Sequence, residues 1–352
     1  VLLQIVSACF HELYQTGKGE KMKIRIGILV IAGSILALTA AMLFSVMTGA
    51  AAISAADVWK AFRSFEGDNS SHLLVREMRV PRALAGALIG AALAVAGAMM
   101  QGVTKNPLAD SGLMGLSAGA GLFLAVSLIV IKGMSYPGII GMTFAGAAFG
   151  AGCVHVISTL VPGGNHPMKL VLAGATVTTL FSAVSQALAI YSGTSQSMMF
   201  WTMGNISGTN WLQLKAGAPV ILISILLAIA LSRRISILNM GEEIAKGVGV
   251  HVTQTRVIVT ILVVMLSGTS FALCGSITFV GMMVPHFARF LVGQDYRLII
   301  PVSAIQGAAL VMVSDILSKI INPPSEIPLG AVISVIGVPI FLYYAGKERG
   351  KE

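Results

Sequence analysis

The chain has 352 residues and a formal net charge of +9, from 23 Lys and Arg against 14 Asp and Glu. Only 11% of its residues are charged and 56% are hydrophobic, with a mean hydropathy of +0.87, whereas soluble domains carry about 25% charge. No sizeable soluble domain fits, a nucleic-acid partner is not indicated, and the positive balance suits loops facing anionic lipid.

Residues 1–21 lack a basic segment ahead of an apolar run and a small-residue cleavage site, so they do not read as a signal peptide. Lys18-Gly19-Glu20-Lys21 can be encoded by a purine-rich string suited to a ribosome-binding site. We therefore expect residues 1–21 to be a misassigned extension, translation to start at Met22, and 22–352 to form one transmembrane domain. Cys9, Cys153 and Cys274 have neither metal nor redox spacing and read as small apolar residues.

Ten apolar stretches follow, at 26–47, 83–103, 113–131, 138–160, 170–191, 216–232, 257–273, 276–292, 298–318 and 329–346. A transmembrane helix needs roughly 20 apolar residues, and helices satisfy their own backbone without water. The expected fold is an all-α polytopic membrane protein with ten transmembrane helices. The sixth and seventh spans are short, and 273–276 reads as a tight turn. With the N-terminus inside, thirteen Lys and Arg fall on the cytoplasmic side and eight outside, Lys18 and Lys21 being left out. That bias places both termini in the cytoplasm. Gly86, Gly90, Ala94 and Ala98 in the second span, and Gly146 and Gly150 in the fourth, form small-residue stripes for close helix packing.

Arg76, Arg79 and Arg82 lie on the expected outer side, against the charge bias. Arg82 abuts the second span and reads as a snorkelling residue. Arg76 and Arg79 fit either a solvated loop or a docking patch for acidic groups, which guanidinium binds in bidentate fashion. The longest cytoplasmic loop, 233–255, contains NMGEEIAKGVGV, read as a short amphipathic helix. Asn239 is the expected cap, with Glu242 as its capping-box partner. Met240, Ile244 and Val248 share one face, and Gly247 and Gly249 end the helix. Such a helix either docks a cytoplasmic protein or lies on the membrane, where more basic residues would be expected. Asp315 lies inside the ninth span with Lys319 one turn on. A structural ion pair is favoured over a proton relay, which needs several buried acids. His286 has no second ligand at metal spacing and reads as an interfacial histidine. No G-x-x-x-x-G-K-[ST] loop is present, so the chain is not expected to hydrolyse ATP.

RVPRALAGALIGAALAVAGAMMQGVTKNPLADSGLMGLSAGA, MMFWTMGNISGTNW, LNMGEEIAKGVGV, GSITFVGMMVPHFARFLVGQDYR and SEIPLGAVISVIGVPIF occur in that order. They resemble the FecCD-type permeases, the membrane subunits of bacterial ABC importers for iron–siderophores, haem and cobalamin. The resemblance covers about residues 24–346. It implies a subunit of the bacterial cytoplasmic membrane that pairs with a second permease, identical or paralogous. Two ABC ATPase subunits would bind ATP-Mg, and an extracytoplasmic siderophore-binding protein would deliver cargo. The chain itself would bind no cofactor and no metal.

By the same resemblance, Met240, Gly241, Glu242, Ile244, Ala245, Val248 and Gly249 would couple to the ATPase within loop 233–255. Arg76 and Arg79 would dock the binding protein, and Asn106 and Leu108 would narrow the path. Phe200, Trp201 and Met203 would belong to a short outer helix. Asp315 and Lys319 would form the intramembrane ion pair, with Lys where the family often has Arg. Gln294-Asp295-Tyr296-Arg297 replaces the usual Asp-His-Arg, and the 162–169 loop follows no family pattern. Ferric siderophore is the expected cargo, with haem or cobalamin as alternatives. An ion-coupled secondary transporter would want intramembrane acids or broken helices at the midplane. An intramembrane enzyme would want a cluster of reactive side chains.

Overall fold

The computed structural model describes residues 19–49, 53–107, 109–110, 112, 115–130, 134–160 and 167–349. These residues form helices and connections, with no strand among them. In chain order they are α1 (Gly19–Met47), α2 (Ala55–Arg63), α3 (Ser70–Leu73), a π-helical turn (Leu74–Arg79) and α4 (Val80–Thr104). Then come α5 (Leu116–Val130), α6 (Tyr136–Leu160), α7 (Pro167–Tyr191), α8 (Ser195–Met203) and α9 (Trp211–Met240). The last are α10 (Glu242–Gly247), α11 (Val252–Cys274), α12 (Val280–Val292), α13 (Tyr296–Ile320) and α14 (Leu329–Arg349).

Among the described residues, seven helical runs are long and apolar enough to cross a membrane: α1, α3 through α4, α6, α7, α9, α11 and α13. Three shorter apolar helices, α5, α12 and α14, stand at the expected third, eighth and tenth spans. The eighth departs most from expectation. Helix was expected from 276, but Gly275–Thr278 is irregular and α12 has only 13 residues. Gly275 (φ 76°) and Phe279 (φ 70°) both lie in the left-handed region, which breaks the helix on either side. The freed backbone is satisfied inside the protein: Ser276 N donates to Trp201 O (2.9 Å) and Asn205 N to Cys274 O (2.7 Å). Irregular backbone at membrane depth is tolerated only under that condition.

The sixth span departs in the other direction. It was expected over 216–232, yet α9 runs 30 residues, about 45 Å at 1.5 Å per residue. Asn210 and Gln213 close a capping box at its start, and the helix runs on through Pro219 to Gly241. The basic pair Arg233 and Arg234 therefore continues the helix out of the hydrocarbon layer.

Helix α4 is the hub, packing against α13, α9, α11 and α12. Its glycines set the distances. A methyl on Gly90 would run into Gly307 O of α13, and one on Gly97 into Gly281 O of α12. In the neighbouring group, Gly119 of α5 meets Gly146 and Gly150 of α6 in the same way. These are backbone-on-backbone contacts, the means by which helices associate where lipid removes most hydrophobic driving force. At the end of the bundle where α1 stops, α2, α3 and the π turn form a cap over a small cluster of Val75, Ala83, Met312 and Ile316.

Gly97→Ala should cost about 1–3 kcal/mol by overpacking, read as a lowered thermal midpoint in detergent. Gly141→Ala, where nothing stands within 4 Å, should leave the midpoint unchanged.

Candidate coupling surface and buried ion network

Helix α9 ends because Gly241 adopts φ 147° and ψ 148°, a conformation that reverses the chain into α10. This corrects the expected cap. Asn239 lies inside the last turn of α9, and Gly241 holds the N-cap position of α10 with no side-chain hydrogen bond. The Asn–Glu spacing matches a capping box, but an uninterrupted upstream helix takes precedence. Glu242 instead pairs with Arg256 of α11. Half-exposed pairs contribute only about 0.2–1 kcal/mol, so this one serves to orient α10 rather than to hold the fold.

The three residues of the expected stripe are exposed, Met240, Ile244 and Val248 by 69%, 52% and 64%, but they do not share one helix: Met240 ends α9, Ile244 lies in α10 and Val248 follows its last residue. Ala245, on the opposite side, is fully buried against Leu238 and Val252 and fixes the helix to the bundle. At the far end Gly249 takes φ 78°, and Val250 N donates to Ala245 O (2.9 Å), closing the last turn. The result is a short, rigidly seated helix with an acidic first turn and an uncovered apolar ridge.

The seat is tied to the bundle from below. Ser236 Oγ of α9 donates to Asp295 Oδ1 (2.9 Å) and accepts from Tyr296 N (2.9 Å). Asp295 also accepts from Arg297 N (3.0 Å), capping α13. The departure from the Asp-His-Arg pattern therefore leaves an acid that joins α9 to α13.

At the opposite end of the bundle, Asp315 is fully buried, but not with Lys319 alone. Its Oδ1 accepts from Arg82 Nε (2.8 Å) and Nη2 (2.7 Å). Its Oδ2 accepts from Lys319 Nζ (2.6 Å) and Ser45 Oγ (2.7 Å). Arg82 Nη1 also reaches Glu326 (2.8 Å). Two cations and two anions thus join α1, α4, α13 and the connection to α14. Arg82, read from the sequence as snorkelling, is an internal partner. Glu326 and Ser45 were not singled out at all.

Arg79 also departs from expectation. It is buried, and its Nη1 donates to Val46 O (2.8 Å) and Met47 O (2.9 Å) at the C-terminus of α1. A cation there complements the helix dipole and the unpaired carbonyls, so its guanidinium faces inward rather than toward a partner. Arg76 is exposed and lies over the Phe65 ring at 4.6 Å.

Asn106 follows Lys105, whose left-handed conformation (φ 53°) stops α4, and its carbonyl accepts from Ala109 N (3.1 Å). Leu108 lies outside the described residues. Two neighbours were missed in the sequence. Gln101 Nε2 donates to Ala109 O, Gly281 O and Met282 O (3.2, 3.2 and 3.1 Å), pinning the broken start of α12. Asp110 Oδ1 sits beside Gly281 in the first turn of α12, where a carboxylate is favoured. Trp201 and Met203 lie in α8 as expected, and Trp201 lines a cavity of about 250 Å³ with Asn205, Thr209 and Gln213. Among the described residues, no group of three or more His, Cys, Asp or Glu is placed to hold a metal ion.

Residues 35–347 match the sequence pattern of the FecCD transport family. The chain belongs to the FecCD transport family. It is 40% identical over 326 residues to the iron(3+)-hydroxamate import system permease protein FhuB of Bacillus subtilis (strain 168), spanning 92% of this chain and 84% of that one. It is 33% identical over 333 residues to the hemin transport system permease protein HmuU of Yersinia pestis, spanning 93% and 96%. In three dimensions it is similar to an inward-facing conformation of a metal-chelate type ABC transporter, with a TM-score of 0.79, 26% identity, and coverage of 90% of this chain and 99% of that chain. This FecCD chain is a multi-pass, all-helical membrane protein.

Removing one member of a buried charge cluster strands the others. Asp315→Asn should therefore cost about 3–5 kcal/mol, seen as loss of protein from the membrane and a lower thermal midpoint. Asp315→Asn combined with Lys319→Met should recover part of that loss, because the methionine removes one stranded cation.

Proposed function

We propose that this chain is one half of the pore of an ATP-driven importer that carries ferric siderophore across the bacterial cytoplasmic membrane. In this reading it has ten spans with both termini in the cytoplasm, and a second permease, identical or paralogous, completes the path. It is not itself an enzyme; two ABC ATPase subunits bind ATP-Mg, and an extracytoplasmic siderophore-binding protein hands over cargo. The exposed apolar ridge of Ile244 on a firmly seated α10, with Met240 and Val248 flanking its two ends, carries the proposal. An apolar ridge with an acidic first turn, at an end rich in Lys and Arg, is suited to a groove on a soluble partner. The likeness to an iron(3+)-hydroxamate permease supports the cargo class. The likeness to a hemin permease keeps haem as the alternative.

The mechanism follows from seating and rigidity. Closure of the ATPase pair on ATP displaces α10. Because Ala245 and the Glu242–Arg256 pair fix α10 to α9 and α11, the displacement is passed on as rigid-body movement of helices. Met240, Gly241, Glu242, Ile244, Ala245, Val248 and Gly249 form this coupling element. Arg76 is the side chain offered to the binding protein, and Asn106 lies where the path narrows at the end of α4.

Ile244→Glu should leave membrane insertion intact and reduce uptake of radio-iron at least tenfold, because it places a charge in an apolar groove. Replacing Glu242 should separate ATPase activity from uptake; undiminished uptake would sink the coupling assignment. Cells lacking the gene, with and without its restoration, would be given hydroxamate and catecholate siderophores, haem and cobalamin. Loss and rescue for one ferric siderophore class is expected. Loss confined to haem or cobalamin would replace the cargo and leave the importer standing.

A further inference from the structure

We propose that α2 is an interfacial anchor, lying in the acyl–headgroup boundary of the membrane at the end of the bundle that carries Arg82 and Asp315. Under the orientation proposed above, that is the outer leaflet. The proposal does not depend on the cargo or on ATP coupling.

Helix α2 has nine residues, AADVWKAFR, started by Ser54, whose side chain accepts from Asp57 N. Its residues fall into three parallel stripes at i, i+3 spacing. Val58 and Ala61 face the bundle; Ala61 is fully buried and Val58 packs on the cluster of Ala41, Val46 and Ile53. Trp59 and Phe62 form the next stripe, and the bundle does not cover them: they are 65% and 60% exposed. Lys60 and Arg63 form the third and are exposed. The apolar arc is thus about twice as wide as the bundle covers.

The neighbouring surface indicates what covers the rest. Helix α2 packs on the end of α1, whose apolar window is only 17% buried. Leu43 and Phe44, one turn before that end, are exposed as well. A membrane span with so little protein around it faces acyl chains, and the Trp59–Phe62 stripe extends that face into the interface. Indole rings are enriched at that depth, and helices that lie in the interface carry Trp and Phe on their apolar face. Lys60 and Arg63, one stripe further round, reach toward lipid phosphates with their stems along apolar surface. Net charge does not drive the contact: between 53 and 79, Lys60, Arg63, Arg76 and Arg79 are balanced by Asp57, Glu66, Asp68 and Glu77. Anchoring should therefore be the same in zwitterionic and anionic vesicles.

The test is depth measurement by spin labelling. Cys9, Cys153 and Cys274 are replaced by Ser, and single labels are placed through Trp59→Cys, Phe62→Cys and Arg63→Cys. Each full-length chain is assembled in its transporter and reconstituted in phosphatidylcholine or phosphatidylglycerol vesicles. Labels at 59 and 62 should collide more with oxygen than with a water-soluble nickel chelate, in both lipids, and the label at 63 should show the reverse. Two separate positions on the aromatic stripe keep the result decisive if one variant fails to assemble. Preferred access of the nickel chelate at both 59 and 62 would overturn the proposal. So would protection that appears only on adding the binding protein, since the stripe would then be a protein-docking face. Iron uptake by the unlabelled transporter tests the importer reading separately.

Discussion

Helix α4 is the most enclosed helix of this bundle, yet enclosure in lipid contributes little, because acyl chains are as apolar as the side chains they replace. What holds α4 is close approach. Gly90 and Gly97 bring its backbone onto the backbones of α13 and α12, where any side chain would intervene. Dispersion at short range then does what the hydrophobic effect does in water. The composition follows: 39 glycines and few aromatics suit a membrane core built from backbones. Polar side chains appear where backbone alone is insufficient. Gln101 donates to Ala109 O, Met282 O and Gly281 O, the last of which has no helical partner because Pro285 carries no N–H.

Close packing fixes distances but resists sliding poorly, and the polar contacts at the two ends of α13 supply that resistance. At one end Ser236 and Asp295 join it to α9; at the other, Asp315 and Lys319 join it to α1 and α4. The last turn of α9 cannot shift without breaking two hydrogen bonds or carrying α13 along. A helix fastened at both ends moves as a unit, which suits transitions between discrete packings better than gradual deformation. The seating of α10 at the end of α9 places a small exposed element directly on that lever.

The parts of this arrangement that obey a period were legible in the sequence, and the parts that depend on a distant partner were not. Met240, Ile244 and Val248 were legible as apolar positions at i, i+4, i+8 spacing, and all three are exposed, although Gly241 separates Met240 from the helix that holds Ile244. The cap of that helix was misread because Asn239 fits a local pattern, while the continuation of α9 is decided over 30 residues. Hydropathy marked 276–292 as a span; it cannot register that Gly275 and Phe279 turn left-handed, since the sequence there stays apolar. Arg82 reads from the chain as a snorkelling residue and Arg79 as a solvated or docking one. One proved to share a buried carboxylate 233 residues away and the other to cap α1. The one available signal was stoichiometric: Asp315 and Lys319 are joined by Arg82, and a second cation in a membrane calls for a second anion, which Glu326 provides.

Intramembrane acids or broken helices at the midplane mark ion-coupled transporters, and the carboxylates of this chain argue against that class. Asp315 already carries two cations and a hydroxyl, and Asp110 lies against the first turn of α12. An acid that cycles an ion must exchange partners at modest cost, whereas releasing Asp315 would leave Arg82 and Lys319 stranded in a low-dielectric interior. The break between α11 and α12 is tied to the bundle by Ser276 N donating to Trp201 O and Asn205 N donating to Cys274 O. These carboxylates therefore hold helices together, and exchanging their partners would cost more than an ion cycle can spare.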